Sequence, residues 1–204
     1  MESGLFTQEP VKSSGLLFKK PEVVLFTGPM FVGKTTTMFK AVADHADKGD
    51  HSVIIKPGMD SRGSFDTIFT HDGDKKNQNV SIIVADTIQK AFLSLPDDVK
   101  VVGIDEGQFF PDLYKLTESQ KVLNIYISAL SGDYLQQPFV SVNKLIAACD
   151  SLKIVTLTGR CMGEDDCPNP SEYSIRSMKD DRLVVVGGSE LYKAVCYNCL
   201  KFRE

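Results

Sequence analysis

The chain has 204 residues and a formal net charge of −4, and 42% of its residues are hydrophobic while 25% are charged. This length allows one domain with at most a small appendage, and the composition excludes collagen-like and wholly disordered chains. The acidic balance argues against a surface devoted to coating nucleic acid. Because no run of 18 apolar residues occurs and residues 1–20 lack the apolar core of a secretory signal, we expect no membrane span and a cytoplasmic location.

Residues 1–20 show no hydrophobic periodicity and predict a flexible N-terminal tail. From residue 21 onward, short apolar runs alternate with segments of helical periodicity. The apolar runs predict strands at residues 23–26, 52–56, 80–84, 99–104, 123–130 and 153–157, the last of them as a core strand. The periodic segments predict helices at residues 34–48, 87–95 and 142–149. This alternation predicts a parallel sheet covered by helices on both faces.

Two segments depart from the alternation of strands and helices. Residues 57–78 are rich in Gly and Asp and are long for a loop, which predicts a functional or mobile segment. From residue 158 onward Cys, Gly, Asp, Pro and Asn dominate, and a short strand is predicted at residues 183–186. We therefore expect an α/β domain at residues 21–158 and a small cysteine-bearing domain at residues 159–204.

A phosphate-binding motif follows the first predicted strand. Residues 28–35 read Gly-Pro-Met-Phe-Val-Gly-Lys-Thr and fit the pattern G-x-x-x-x-G-K-[ST]. In this pattern glycines let backbone N–H groups surround the phosphates, the helix N-terminus adds positive charge, the lysine reaches the terminal phosphates and the threonine binds Mg²⁺. The alternative is a glycine-rich turn with a solvated lysine, which the flanking strand and helix disfavour. The predicted nucleotide contacts are Gly28, Pro29, Met30, Phe31, Val32, Gly33, Lys34, Thr35, Thr36 and Asp105.

Two carboxylates end another apolar strand. Asp105 and Glu106 directly follow the run at residues 99–104, and such strand ends meet the phosphate loop at the ligand-binding edge of an α/β sheet. One acid can then hold Mg²⁺ together with Thr35, and its neighbour can act as a base. The alternative is that both acids simply open a solvated loop.

Four of the five cysteines lie near the C-terminus. Cys196 and Cys199 have the C-x-x-C spacing of a tetrahedral zinc site, and Cys161 and Cys167 are the candidates for the second pair. The five-residue spacer before Cys167 is looser than in most zinc ribbons, so Asp165 or Asp166 could replace it as a ligand, and two unrelated pairs of free cysteines are the alternative. The fifth, Cys149, lies in an apolar segment and is interpreted as a core residue.

Several longer motifs resemble those of the type II thymidine kinases, the cytosolic class of deoxynucleoside kinase. The matching segments, in family order, are GPMFVGKTT at 28–36, DSR at 60–62, THD at 70–72, GIDEGQFFPD at 103–112, ALSGDYLQQPF at 129–139 and VGGSELYKAVCYNC at 186–199. DEGQFF and GGSELY are far more specific than a phosphate-loop motif alone. The resemblance implies an α/β fold of the P-loop (RecA-like) type, with a doubly wound parallel sheet and a small C-terminal zinc-binding lasso domain.

The resemblance also implies roles for individual residues. Lys34, Arg62 and Glu106 would be catalytic, with Glu106 taking the proton from the nucleoside 5′-hydroxyl and Arg62 stabilising the transferred phosphoryl group. Lasso backbone groups would bind the pyrimidine edge. The nucleoside contacts would be Met30, Asp60, Phe109, Leu130, Tyr134, Phe139, Ser174, Val185, Gly187 and Tyr192. Taken singly, Phe109 and Phe139 would instead be interpreted as core aromatics.

Three features depart from the family pattern. The first cysteine pair is C-x₅-C where the family usually has C-x-x-C, which puts the zinc geometry in doubt. Ser174 stands where many members carry the larger Thr, so the pocket near the 5-position of the base is expected to be looser. Residues 57–78 keep DSR and THD but otherwise diverge.

The resemblance implies that ATP phosphorylates thymidine to thymidine monophosphate in pyrimidine salvage. It also implies Mg²⁺, a structural Zn²⁺, feedback inhibition by thymidine triphosphate, a homotetramer, and no nucleic-acid or membrane partner. A switch GTPase is disfavoured because residues 143–146 begin an N-K-x-D motif but lack its Asp. A zinc-containing P-loop ATPase acting on nucleic acid is opposed by the acidic balance.

Overall fold

A six-stranded parallel sheet forms the centre of the molecule. The computed structural model describes residues 21–58, 80–119, 121, 123–163, 167–177 and 187–201. The strands of the sheet are β1 (Val23–Gly28), β2 (Ser52–Pro57), β3 (Val80–Ala85), β4 (Val101–Ile104), β5 (Asn124–Leu130) and β6 (Leu152–Thr156). They pair in parallel in the order β3-β2-β4-β5-β1-β6, so the predicted doubly wound α/β sheet is confirmed.

Helices cover both faces of this sheet because side chains alternate along each strand. In β2, Val53 and Ile55 join the larger buried cluster, whereas Ile54 points to the opposite face and joins the smaller one. The helices are α1 (Lys34–Ala46), α2 (Ile88–Leu93) and α3 (Val140–Ala148). Buried side chains of α1 belong to the smaller cluster, and those of α2 and α3 belong to the larger one. Cys149 is buried in the larger cluster, as predicted.

Helix α1 packs unusually close to the sheet at one point. A Cβ atom on Gly103 of β4 would lie 2.7 Å from the Met38 sulfur and 3.0 Å from Val42 Cγ2. The missing side chain therefore sets the distance between α1 and the sheet. The helix ends at Ala46, two residues before the predicted end, and Gly49 follows with a φ of 94°.

Strand β6 lies at the edge of the sheet, whereas the sequence predicts a core strand. It pairs only with β1, so it forms one edge of the sheet among the described residues, and Ile154 and Val155 are 48% and 39% exposed. The prediction failed because a short β-branched run has the same sequence signature at an edge as in the interior.

The residues from 159 to 201 form smaller elements, which we call the C-terminal segment. Strands β7 (Gly159–Arg160) and β8 (Pro170–Ser171) pair antiparallel, as do β9 (Tyr173–Arg176) and β10 (Tyr192–Val195), and α4 (Tyr197–Lys201) follows. The predicted strand at residues 183–186 and the predicted tail at 1–20 lie outside the described residues. Among the helices that are described, none has the length and apolar character to cross a membrane.

Candidate active site

The phosphate-binding loop connects β1 to α1. Gly28 ends β1 with a φ of 142°, and a Cβ atom there would lie 2.2 Å from the carbonyl oxygen of Leu157, so only glycine fits. Phe31 and Gly33 also have positive φ values, 64° and 80°. Left-handed residues of this kind turn successive backbone N–H groups toward one concavity, which is the geometry that binds phosphate.

Lys34 is the first residue of α1 and is 9% exposed. Its Nζ donates a hydrogen bond to the Pro29 carbonyl oxygen at 2.5 Å. Burial lowers the pKa of Lys34 to about 8, and the negative charges of Glu106 and Asp105 act in the opposite direction. The predicted lysine and both predicted carboxylates therefore lie within electrostatic reach of one another.

Asp105 links the loop to the sheet. Its Oδ1 accepts hydrogen bonds from Thr35 Oγ1 at 2.9 Å and from Ser128 Oγ at 2.7 Å, and the carboxylate is 3% exposed. Thr35 and Asp105, the two predicted Mg²⁺ ligands, are therefore in direct contact. Ser128, which sequence analysis did not single out, lies on the neighbouring strand β5.

Glu106 has a left-handed backbone, with φ 50° and ψ 46°. For a non-glycine residue this conformation costs about 1–3 kcal/mol, and it is maintained where surrounding contacts enforce it. The Glu106 amide lies 3.1 Å from Asp105 Oδ1 and 3.3 Å from Ser128 Oγ. Its carboxylate Oε2 accepts a hydrogen bond from Gln108 Nε2 at 2.5 Å.

The C-terminal segment reaches the phosphate-binding loop through β9. Ser174 Oγ accepts the Met30 N–H at 2.9 Å, across 144 residues of sequence. Two positions further along β9, the Arg176 guanidinium lies 3.7 Å from the centroid of the Tyr134 ring and hydrogen-bonds to Tyr134 and Tyr192. Four of the predicted nucleoside contacts are therefore brought into this one region, together with Arg176, which sequence analysis did not identify.

The other predicted nucleoside contacts lie at strand ends and turns, or outside the described residues. Leu130 ends β5, Phe109 is half-buried in a 3₁₀ turn (Gly107–Phe109), and Gly187 lies near Leu191. Phe139, directly before α3, is partly buried and packs against the larger core cluster. Asp60, Arg62 and Val185 lie outside the described residues, as do the alternative zinc ligands Asp165 and Asp166.

Four cysteines converge in the C-terminal segment. The Sγ atoms of Cys161, Cys167, Cys196 and Cys199 all lie within 4.8 Å of one another, and none of them forms a disulfide. Cys167 Sγ is 3.8 Å from the sulfurs of both Cys196 and Cys199. Tetrahedral Zn²⁺ with bonds of ~2.3 Å places its sulfur ligands about 3.8 Å apart, so the spacing fits a four-thiolate zinc site despite the long spacer.

Hydrogen bonds around the cysteines favour their thiolate forms. The backbone amides of Cys196 and Gly163 donate to Cys161 Sγ at 3.2 Å and 3.4 Å. A backbone hydrogen bond from Cys199 lowers the pKa of Cys196 to about 7, with further lowering by the thiols of Cys199, Cys161 and Cys167 and an opposing effect of burial. Thiolates are the forms that bind metal, so this cluster is suited to a cation.

Known proteins provide an independent comparison. A family model described as thymidine kinase matches residues 21–200. A thymidine kinase from Oryza sativa subsp. japonica is 32% identical over 180 residues, which cover 86% of this chain and 64% of that protein. A cytosolic thymidine kinase from Homo sapiens is 30% identical over 87% of this chain and 72% of its own length. The thymidine kinase of Vaccinia virus (strain Ankara) is 29% identical over 87% of this chain and 95% of its own length.

Proposed function

The chain belongs to the thymidine kinase family, and we propose that it transfers the γ-phosphoryl group of ATP to the 5′-hydroxyl of thymidine. The observation that carries this proposal is the convergence, within the matched region, of a phosphate-binding loop, a threonine–aspartate pair and a second carboxylate. In the part of the chain that the structure describes, no contact favours a nucleic-acid ATPase, and the net charge of −4 opposes it.

The phosphate-binding loop and Lys34 hold the ATP phosphates in this proposal. Backbone N–H groups of residues 28–36 other than Pro29 supply partial positive charge together with the N-terminus of α1, and Lys34 adds a cation. Thr35 Oγ1 and Asp105 Oδ1, only 2.9 Å apart, offer the hard oxygen ligands that Mg²⁺ requires, directly or through water. Bound Mg²⁺ would neutralise charge that develops on the transferred phosphoryl group.

Glu106 is the proposed general base. Its strand-end position beside Asp105 places a carboxylate next to the loop that holds the phosphoryl donor, and such a base takes the proton from the attacking hydroxyl. Arg62 and Asp60, assigned from the family pattern, are proposed to stabilise the phosphoryl group and to contact the sugar.

The C-terminal segment is proposed to form the lasso over the nucleoside. Ser174 and Tyr192 lie on its paired strands β9 and β10, and these strands are contacted from the loops that follow β1 and β5, where Met30 and Tyr134 lie. Leu130, Phe109, Phe139, Val185 and Gly187 complete the proposed pocket. In this division residues 21–158 bind the nucleotide and residues 159–204 close over thymidine.

Zinc is the proposed structural metal of this lasso, held by the four cysteines. Bound zinc would tie residues around Cys161 and Cys167 to those around Cys196 and Cys199, and so fix both ends of the intervening chain. We further propose a homotetramer, feedback inhibition by thymidine triphosphate, and a cytoplasmic location, the last by analogy with relatives named cytosolic.

A nucleoside panel tests the function directly. Purified protein is incubated with γ-labelled ATP and Mg²⁺ together with thymidine, deoxycytidine, deoxyadenosine, deoxyguanosine, single-stranded DNA or no acceptor. We expect labelled thymidine monophosphate, and its loss in a Lys34→Ala variant that circular dichroism shows to be folded. ATP hydrolysis that depends on DNA and not on thymidine would contradict the proposal.

A further inference from the structure

The side chain of Gln108 is a buried amide beside the proposed base. It is 6% exposed and lies in the 3₁₀ turn that follows Glu106. Its Nε2 donates to Glu106 Oε2 at 2.5 Å, and its Oε1 accepts the Leu130 N–H at 3.0 Å. Its backbone carbonyl accepts a hydrogen bond from Ser141 Oγ at 3.0 Å. Both ends of the amide and the main chain of Gln108 are therefore fixed.

The orientation of this amide follows from its partners. A backbone N–H can only donate, so the amide end that faces Leu130 must be the oxygen. The NH₂ group must then face Glu106, whose ionised carboxylate can only accept. The two contacts agree on one orientation, which removes the usual ambiguity between the oxygen and nitrogen of a glutamine side chain.

Glu106 also has contacts through its backbone. Asp105 and Ser128 both contact its backbone amide, and these contacts set the position of the main chain but not of the carboxylate. A glutamate side chain loses rotamer entropy when it is held in one conformation. Gln108 provides this restraint through a hydrogen bond to a charged acceptor, which is stronger than a bond between neutral groups.

We propose that Gln108 is the positioning residue for Glu106, and holds the carboxylate in the orientation in which it takes the proton from the 5′-hydroxyl. This inference rests on the proposed function, because it requires Glu106 to be the base. Gln108 acts through Glu106 and is not itself a catalytic residue. Because Gln108 Oε1 accepts a hydrogen bond from the Leu130 N–H, the Gln108 amide also connects Glu106 to the end of β5, where the proposed nucleoside pocket begins.

A purely structural role for Gln108 has a different expectation. In that case its contacts with Leu130 and Ser141 would only hold the turn against β5 and α3. Removing the side chain would then lower stability, and any loss of activity would occur equally in every genetic background. A double-mutant cycle with Glu106 separates the two roles.

The experiment measures kcat and KM for Gln108→Met, Glu106→Gln and the double variant, with Gln108→Asn as a shorter amide that cannot span both partners. Gln89→Met, on the surface of α2, is the matched control. We expect Gln108→Met and Gln108→Asn each to lower kcat by at least tenfold. In each variant the KM for ATP and the KM for thymidine should stay within threefold of wild type. In the Glu106→Gln background, Gln108→Met should change kcat by less than threefold.

Two outcomes would overturn the inference while leaving Glu106 as the base. One is a kcat within threefold of wild type in Gln108→Asn or Gln108→Met, and the other is a full tenfold further loss in the Glu106→Gln background. By contrast, wild-type turnover in Glu106→Gln alone would remove the base assignment itself. If Gln108→Met does not fold, the Gln108→Asn cycle gives the same comparison.

Discussion

The ammonium group of Lys34 is buried, and its pKa of about 8 has a consequence for ATP binding. A polyanion favours the protonated amine, so above pH 8 binding must take up a proton, and affinity should fall by up to tenfold per pH unit. ATP itself is already fully ionised in this range. We expect ATP affinity, measured by calorimetry between pH 7 and 9.5, to decline above pH 8.

Lys34→Arg provides the comparison, because arginine stays protonated throughout this range. Its ATP affinity should be nearly constant with pH even if it is weaker than that of wild type. An equal decline in both proteins would show that another group is responsible.

Glu106 offers a second substitution with a defined outcome. Glu106→Gln preserves the size of the side chain and removes its basicity, so kcat should fall by about 10²–10⁴-fold while ATP and thymidine still bind. Glu118→Gln, on the exposed end of the 3₁₀ helix Leu113–Glu118, is the control and should match wild type. Steady-state turnover within threefold of wild type in Glu106→Gln would exclude it as the base.

Sequence alone predicts those parts of the candidate site whose residues are close together in the chain. Lys34 and Thr35 belong to one continuous motif, and Asp105 and Glu106 directly follow one strand. Gln108 lay inside the motif DEGQFF but received no role, because its partner Leu130 is 22 residues away. Pairings of this kind depend on strand order, which a single sequence does not specify.

Gly103 sets the spacing between helix α1 and strand β4. An alanine there would place Cβ 2.7 Å from the Met38 sulfur, so Gly103→Ala should lower the free energy of unfolding by about 1–3 kcal/mol in a urea titration. Met38→Ala removes the opposing atoms, and the double variant should therefore lose less stability than the sum of the two single variants. Strict additivity would place the strain elsewhere.

The cysteine cluster gives a prediction about metal content. Wild-type protein purified without chelator should contain about one zinc per chain, and Cys167→Ser should lose most of it because a tetrahedral site needs four ligands. Cys149→Ala, which alters the cysteine in the main core, should retain the metal. Full zinc content in Cys167→Ser by elemental analysis would exclude Cys167 as a ligand.

Most of the strands and helices could be predicted to within two residues, since apolar periodicity is a local property. Sequence does not predict strands β9 and β10, whose partners are remote in the chain, nor the short local helices Leu113–Glu118 and Tyr197–Lys201. Strands β9 and β10 pair across a gap of 15 residues between Arg176 and Tyr192, and neither shows a strong period of two. The apolar residues of β6 predict a core strand, because they do not reveal that β1 is its only partner among the described residues.

The contact between β9 and the phosphate-binding loop joins the two parts of the chain. Ser174→Ala removes the acceptor of the Met30 N–H, and the loss of about 0.5–1.5 kcal/mol for such a bond should weaken thymidine binding by roughly 2- to 12-fold. Ser177→Ala, whose exposed side chain follows β9, is the control and should bind as wild type. Equal weakening in both variants would show that the effect is not specific to this bond.

Through the same hydrogen bond, the binding of one substrate should change the affinity of the protein for the other. It can form only when the loop and β9 are both ordered, so a ligand that orders one lowers the entropic cost of ordering the other. Coupling of this kind is reciprocal: the factor by which ADP tightens thymidine must equal the factor by which thymidine tightens ADP. With ADP used to prevent turnover, both factors should exceed one in the wild-type protein and fall together toward one in Ser174→Ala. Ser174 would then influence the affinity for the nucleotide as well as the affinity for the nucleoside, although it is 144 residues from Met30 in the sequence.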